Sequence, residues 1–164
     1  MAETSEGRFA FHDWIGDSWC LLISHPERPA PACAEEAVTL AALRGAFLRR
    51  GCTMVGLVAR SADRLGAWRE AGGMPVGYPL IGDPDLGVAK RFGIVPPEAS
   101  AGCPLSATGP ARSVFLIAPD KRIRLILTYP IGIGRNFEEI LRALDGLQEG
   151  ELHPVGLPPY PAVA

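Results

Sequence analysis

The chain has 164 residues, 48% of them apolar and 21% charged, with a formal net charge of −2. That length and balance suit one globular domain with a core of its own, rather than a disordered, fibrous or disulfide-dependent chain. No basic block and no Lys/Arg stripe interleaved with aromatics supplies the footprint of nucleic-acid binding, and no apolar run approaches the roughly 20 residues that cross a bilayer, so neither nucleic acid nor membrane is an expected partner.

In chain order, "MAETSEGRFAFHDW" carries acids and no apolar segment of the secretory kind, so a cytoplasmic protein is expected. There Cys20, Cys33, Cys52 and Cys103 should be free thiols, and their wide spacing contains no C-x-x-C pair for zinc or dithiol chemistry. "CLLIS" (20–24) and "MVGLVA" (54–59) are nearly continuous apolar runs, the pattern of strands buried on both faces. Between them Glu36, Leu40, Leu43 and Phe47 follow helical spacing. Leu65 and Trp68 continue a helical pattern after a Ser61 cap, and Leu86, Ala89 and Phe92 follow "DP" and stop at Gly93.

"SVFLIA" (113–118) and "RIRLILTY" (122–129) read as two strands joined around "APDK" into a hairpin. The last helix begins at an Asn136 cap with Glu139 placed as in a capping box, and Phe137, Ile140, Leu141, Leu144 and Leu147 form its apolar face. The expected class is α/β, a mixed central sheet flanked by helices, into which a thioredoxin-like sandwich fits. Residues 1–150 form the domain; the proline-rich 151–164, "ELHPVGLPPYPAVA", cannot propagate a helix or enter a sheet interior and is read as an extended tail.

Chemistry concentrates in "SHPERPAPACAEE" (24–36), where a strand runs into a helix and presents Cys33 at the sheet's carboxyl edge, in a helix first turn. Open α/β sheets bind ligands at that edge, and the amides and dipole of a helix start favour a thiolate. The competing reading is an inert, small apolar residue. No His/Cys/Asp constellation has metal spacing, and "GIGRNF" follows no strand-turn-helix unit, so no metal and no cofactor are expected.

"FHDWIGDSWCLLISHPERPAPACAEE", "GDPDLGVAKRFGI", "ARSVFLIAPDKRIRLILTYP" and "GRNFEEILRALDGLQ" are four separated blocks in one order. Over residues 9 to about 148 they resemble the one-cysteine peroxiredoxins of the AhpC/TSA family. The resemblance implies a thioredoxin-like fold, no bound cofactor, and a peroxidatic cysteine whose thiolate attacks a hydroperoxide to give a sulfenic acid that an external thiol reduces. Cys33 occupies the peroxidatic position, Pro26 the motif proline, His25 the class histidine and Glu36 the motif acid. Arg112 matches the arginine that holds the thiolate and polarises the peroxide. His25 reads equally as a structural hydrogen-bonding residue, and Glu36 as a support for Arg112 or the helix start. Arg135, near Tyr129, is a candidate site-lining residue, though a solvated arginine at a helix start is the simpler reading. Cys103, in the loop "PPEASAGCPLSATGPAR", is a candidate resolving cysteine; Cys20 and Cys52 are read as packing residues.

The departures from the family pattern are chemical. A Thr or Ser hydroxyl is expected three residues before the cysteine, where Ala30 stands; loss of one preorganised donor typically costs about 10² to 10³ in rate. Ala34 replaces a second hydroxyl residue, Pro29 an aromatic, and Gly132 and Ile133 stand where small hydroxyl residues are usual, so a more apolar pocket is expected. Against relatives the chain is short at both ends, lacking most of the first β segment and a C-terminal extension used in dimer packing. A homodimer is expected from the family, and the substrate is a hydroperoxide, with the apolar pocket favouring organic ones. The alternative is a diverged member that uses Cys33 on another small molecule in a biosynthetic step, or a non-catalytic binding protein.

Overall fold

A computed structural model describes residues 1–29, 31–95, 112–130 and 132–150 of the chain. In chain order the elements are β1 (Ala2–Thr4), β2 (Gly7–Phe9), α1 (Phe11–Ile15), β3 (Trp19–His25), α2 (Pro31–Arg49), β4 (Cys52–Val58), a 3₁₀ turn (Ala62–Arg64), α3 (Leu65–Ala71), β5 (Leu80–Gly82), α4 (Gly87–Arg91), β6 (Arg112–Ile117), β7 (Ile123–Tyr129) and α5 (Phe137–Glu149). The strands make one mixed sheet in the order β2-β1-β5-β4-β3-β6-β7. β3, β4 and β5 are parallel, with Leu21 opposite Met54 and Ile23 opposite Gly56; β6 runs antiparallel to β3, and β7 antiparallel to β6.

The continuous apolar run of β3 follows from burial on both sides of the sheet. Leu21 and Ile23 pack with α2, α3 and α5 on one face, while Cys20 and Leu22 pack with α1 and α4 on the other. Strand side chains alternate in direction, so a strand covered on both faces reads as a continuous apolar run, with Ser24 and His25 entering only at its carboxyl end. β7 shows the contrast: it is paired only to β6 among the described residues, and Ile123 and Ile126 are exposed.

The α/β class and the mixed, helix-covered sheet are as expected, and the four predicted strands lie within one or two residues of the observed ones. Three local expectations are corrected. The chain does form strands before "FHDW": β1 and β2 pair as a hairpin that joins the sheet through β5, whose three residues are too few to give a periodic signal. Ser61 precedes the 3₁₀ turn rather than a regular helix, and its side chain makes no capping bond. Asn136 caps α5 by accepting from the amides of Glu138 and Glu139, but Glu139 does not complete a capping box; its carboxylate takes both Nε and Nη2 of Arg142 at 2.7 and 2.6 Å. Residues 151–164 lie outside the described residues.

Two contacts fix where the site can form. Arg50 at the end of α2 binds both carboxylate oxygens of Asp145 on α5, and Gln148 donates to the Arg50 carbonyl at 2.7 Å, which docks the last helix on the one that carries Cys33. Gly82 closes β5 against the turn that follows β4: a Cβ there would lie 2.7 Å from the Arg60 carbonyl oxygen and 2.8 Å from the Ala62 amide nitrogen. Backbone atoms cannot swing aside as a side-chain tip can. Gly82→Ala is therefore expected to destabilise the fold by about 1–3 kcal/mol, read as a lower denaturant midpoint with an unchanged m-value.

Candidate active site

α2 starts at Pro31, whose fixed φ and missing N–H suit a first helical position, and this places Cys33 in the first turn beyond the carboxyl end of β3. Three residues on, the same helical face carries Glu36. Its carboxylate is the junction of the site. Arg112, the first residue of β6, forms an ion pair with Oε1. Arg135, just before the Asn136 cap, donates its backbone N–H to Oε1 at 2.6 Å and its Nη2 to Oε2 at 2.9 Å. Arg135 Nη1 donates to the Ser24 carbonyl on β3 at 2.7 Å, and its guanidinium sits 5.5 Å from the centre of the Phe137 ring.

Side-chain exposure is 5% for Glu36 and 0% for both arginines. Among the described residues, one carboxylate and two guanidinium groups meet one helical turn from Cys33 as a buried, cation-rich cluster. A buried, cation-rich cluster favours an anion beside it.

A second wall comes from aromatic residues. His25, at the end of β3, stacks on Tyr78 with ring centres 6.3 Å apart and shares a 3.2 Å hydrogen bond between its Nε2 and the Tyr78 hydroxyl. Trp68 of α3 meets His25 edge-on and donates its Nε1 to the Pro26 carbonyl at 3.2 Å. The imidazole and phenol fit because Gly56 lies beneath them: a Cβ there would fall 3.2 Å from both His25 Cδ2 and Tyr78 Cε2. Burial, then the charges of Arg135 and Arg112, hold His25 well below the ordinary histidine range, so it is neutral. Burial pushes the Tyr78 phenol up; the nearby charges that act on it are, in order, Arg135, Glu36, Cys33 and Arg69.

Among the sequence candidates, Cys33, Glu36, Arg112, Pro26 and His25 thus gather at the carboxyl end of β3. Arg135 joins them as a buried partner of Glu36, not as a solvated residue at a helix start, because its guanidinium is the group that bridges Glu36 to the β3 backbone. Ile133, expected to make the pocket more apolar, is 52% exposed and does not line it. Cys33 itself is only 1% exposed, less open than a reactive cysteine is expected to be. Ala30 and Cys103 lie outside the described residues. Cys20 and Cys52 are packing residues: burial pushes both thiols up, Cys52 to about 12. Sequence reasoning missed Trp68 as a site residue, reading it only as helical packing, and passed over Tyr78 and Gly56; the adjacent "GYP" and the glycine inside a strand pattern were the available signals.

Comparison with known proteins completes the assignment. Residues 1–126 match the model of the AhpC/TSA family. The chain belongs to that family, the peroxiredoxins. It is 36% identical to a mitochondrial peroxiredoxin of Saccharomyces cerevisiae over 96% of its length, and 38% identical to peroxiredoxin-6 of Gallus gallus over 90%. It spans about two thirds of those relatives, 64% of the yeast protein and 68% of the chicken one. Among solved structures, a yeast mitochondrial 1-Cys peroxiredoxin superposes with a TM-score of 0.80 at 36% identity, covering 96% of this chain and 78% of that one. Peroxiredoxin 6 of Arenicola marina gives 0.74 at 34% identity, covering 90% and 69%. The thioredoxin-like peroxiredoxin fold is thereby established for the chain.

Two measurements follow for this peroxiredoxin. Glu36→Ala leaves two buried guanidinium groups without their carboxylate and should cost about 3–5 kcal/mol in denaturant unfolding, more than any surface charge change. His25 is depressed in the folded state, so below the ordinary histidine range of about 6.5 the unfolded chain binds more protons than the folded one. The stability linked to His25 is therefore fully present above about pH 6.5 and is lost as pH falls. Unfolding at pH 7.5 and 5.5 should show that loss, and a His25→Gln variant should show less of it.

Proposed function

We propose that this chain is a thiol peroxidase of the one-cysteine kind, with Cys33 as nucleophile. The observation that carries the reading is the buried Arg112–Glu36–Arg135 cluster, one helical turn from the cysteine. A Cys33 thiolate suits a cation-rich surrounding and a place in a helix first turn. The thiolate attacks one oxygen of a hydroperoxide, the S–O bond forms as the O–O bond breaks, and the leaving alkoxide or hydroxide takes up a proton. Arg112 stabilises the charge that develops on the leaving oxygen. The product sulfenic acid is reduced by an external thiol through a mixed disulfide.

Hydrogen peroxide and organic hydroperoxides are the proposed substrates, the apolar and aromatic surroundings of Trp68 and Tyr78 favouring the organic ones. A homodimer is supported by β7, an edge strand with Ile123 and Ile126 exposed. A cytoplasmic location fits the free thiols of Cys20, Cys33 and Cys52. For Cys103, a resolving role remains a proposal that a Cys103→Ser variant tests: a sulfenic acid that persists only in the variant supports it.

Burial of the sulfur and the Ala30 substitution favour the second reading, a diverged member that uses the same cysteine on another small molecule or binds one without reaction. Stopped-flow oxidation with dimedone trapping decides between them. The peroxidase reading expects rapid labelling at Cys33, none in Cys33→Ser, and a rate about 10²-fold lower in Arg112→Lys with the fold retained by circular dichroism. Oxidation of the parent chain at the rate of a free cysteine would overturn it.

A further inference from the structure

A groove of about 470 Å³ opens between α3 and the loop that leaves β3, and the reaction above gives it no role. Pro29, Ala67 and Trp68 form its floor, and three arginines, Arg28, Arg60 and Arg64, stand around it. The loop wall, residues 26–29, leads from β3 toward the helix that carries Cys33 and is tied down at three points. Trp68 Nε1 donates to the Pro26 carbonyl at 3.2 Å, and Arg60 Nε donates to the Glu27 carbonyl at 3.0 Å. Pro29 packs against the end of α3 so closely that a Cβ on Gly72 would lie 3.0 Å from it. The groove is therefore built into the fold, and Trp68 joins it to the core cluster that contains Cys33.

The charges around this groove do not cancel. Arg60 pairs with Glu27 at 3.5 Å, whereas Arg28 and Arg64, both exposed, form no ion pair among the described residues. Asp63, next to Arg64 in the chain, does not line the groove. A guanidinium presents a planar fork of donors that matches a carboxylate, while its alkyl stem adds apolar surface below. An apolar floor with two uncommitted forks at its rim selects a ligand with an apolar body and an anionic end over a neutral one. We propose that this groove is a subsite for the organic part of the hydroperoxide, and that the preferred substrate carries a carboxylate held by Arg28 and Arg64. The reaction itself rests on the peroxidase reading. The terminal peroxide oxygen passes to the Cys33 sulfur as its sulfenic acid, and the carboxylate-bearing alkoxide takes up a proton and leaves as a hydroxy acid.

A matched pair of oxidants separates charge from shape: cumene hydroperoxide bearing a para-carboxylate, and the methyl ester of that acid. At low ionic strength Cys33 should be oxidised about tenfold faster by the acid than by the ester. That ratio should fall toward one in Arg28→Glu, in Arg64→Glu and in about 0.5 M salt. The ester rate of each variant reports any general loss of fold or reactivity, so the ratio isolates the subsite. A ratio near one in the parent chain, or a ratio that both variants keep, overturns the proposal. Binding without reaction is read by an NMR titration with 4-isopropylbenzoate against 4-isopropylbenzamide. The Trp68 indole N–H, identified with a Trp68→Phe variant, should move with the benzoate alone and move less in Arg28→Glu. Failure of both hydroperoxides to oxidise the parent would remove the peroxidase reading; the titration then decides the subsite, and an unmoved Trp68 overturns it.

Discussion

The Glu36 carboxylate holds this site together. It takes an ion pair from the first residue of β6 and three hydrogen bonds from the backbone and side chain of Arg135, so one side chain on α2 joins that helix to the sheet and to the start of α5. Pairing a carboxylate with two guanidinium groups in the interior is not a stabilising device in itself, because desolvation offsets much of the Coulomb gain. What it does is fix geometry and gather cations around one carboxylate. The first turn of α2 must sit at a set height over β3 for Glu36 to reach both partners, and Cys33, three residues earlier, takes its position from that requirement.

The cation-rich cluster and the dry surroundings act together. In a low-dielectric interior a guanidinium exerts a far larger field than it would in water. Burial first, and then the charges of Arg135 and Arg112, keep the neighbouring His25 neutral, so the imidazole serves as a hydrogen-bonding wall instead of a competing cation. Burial acts the other way on two cysteines of the sheet. Cys20 and Cys52, buried in β3 and β4 among apolar side chains, are pushed toward the thiol form.

Much of this was legible in the sequence. The continuous apolar runs of β3 and β4, the periodicity of α5 and its Asn136 cap located the elements to within a residue or two, because burial on two faces and helix capping both leave local marks. Cys33, Arg112 and Glu36 were legible through motif spacing. Arg135 was misread, since a residue just before a helix cap is ordinarily solvated, and nothing local records that a carboxylate 99 positions away reaches for it. Tyr78 was missed for the same reason: its partner, His25, is 53 residues distant. β1, β2 and β5 have three residues each, too short for alternation to rise above chance.

Gly56 carries a mechanical consequence. With no side chain at the centre of β4, the imidazole and phenol rest directly on a peptide plane that is hydrogen-bonded within the sheet, with β3 on one side and β5 on the other. That half of the site shares the stiffness of the sheet. The opposite half is a helix start whose leading amides lack intrahelical partners and which packs through Cys33 and Ala37 and pairs through Glu36. Any change in sulfur volume must then be absorbed by the lighter, less tethered side, with the aromatic wall serving as the fixed reference against which the helix start shifts.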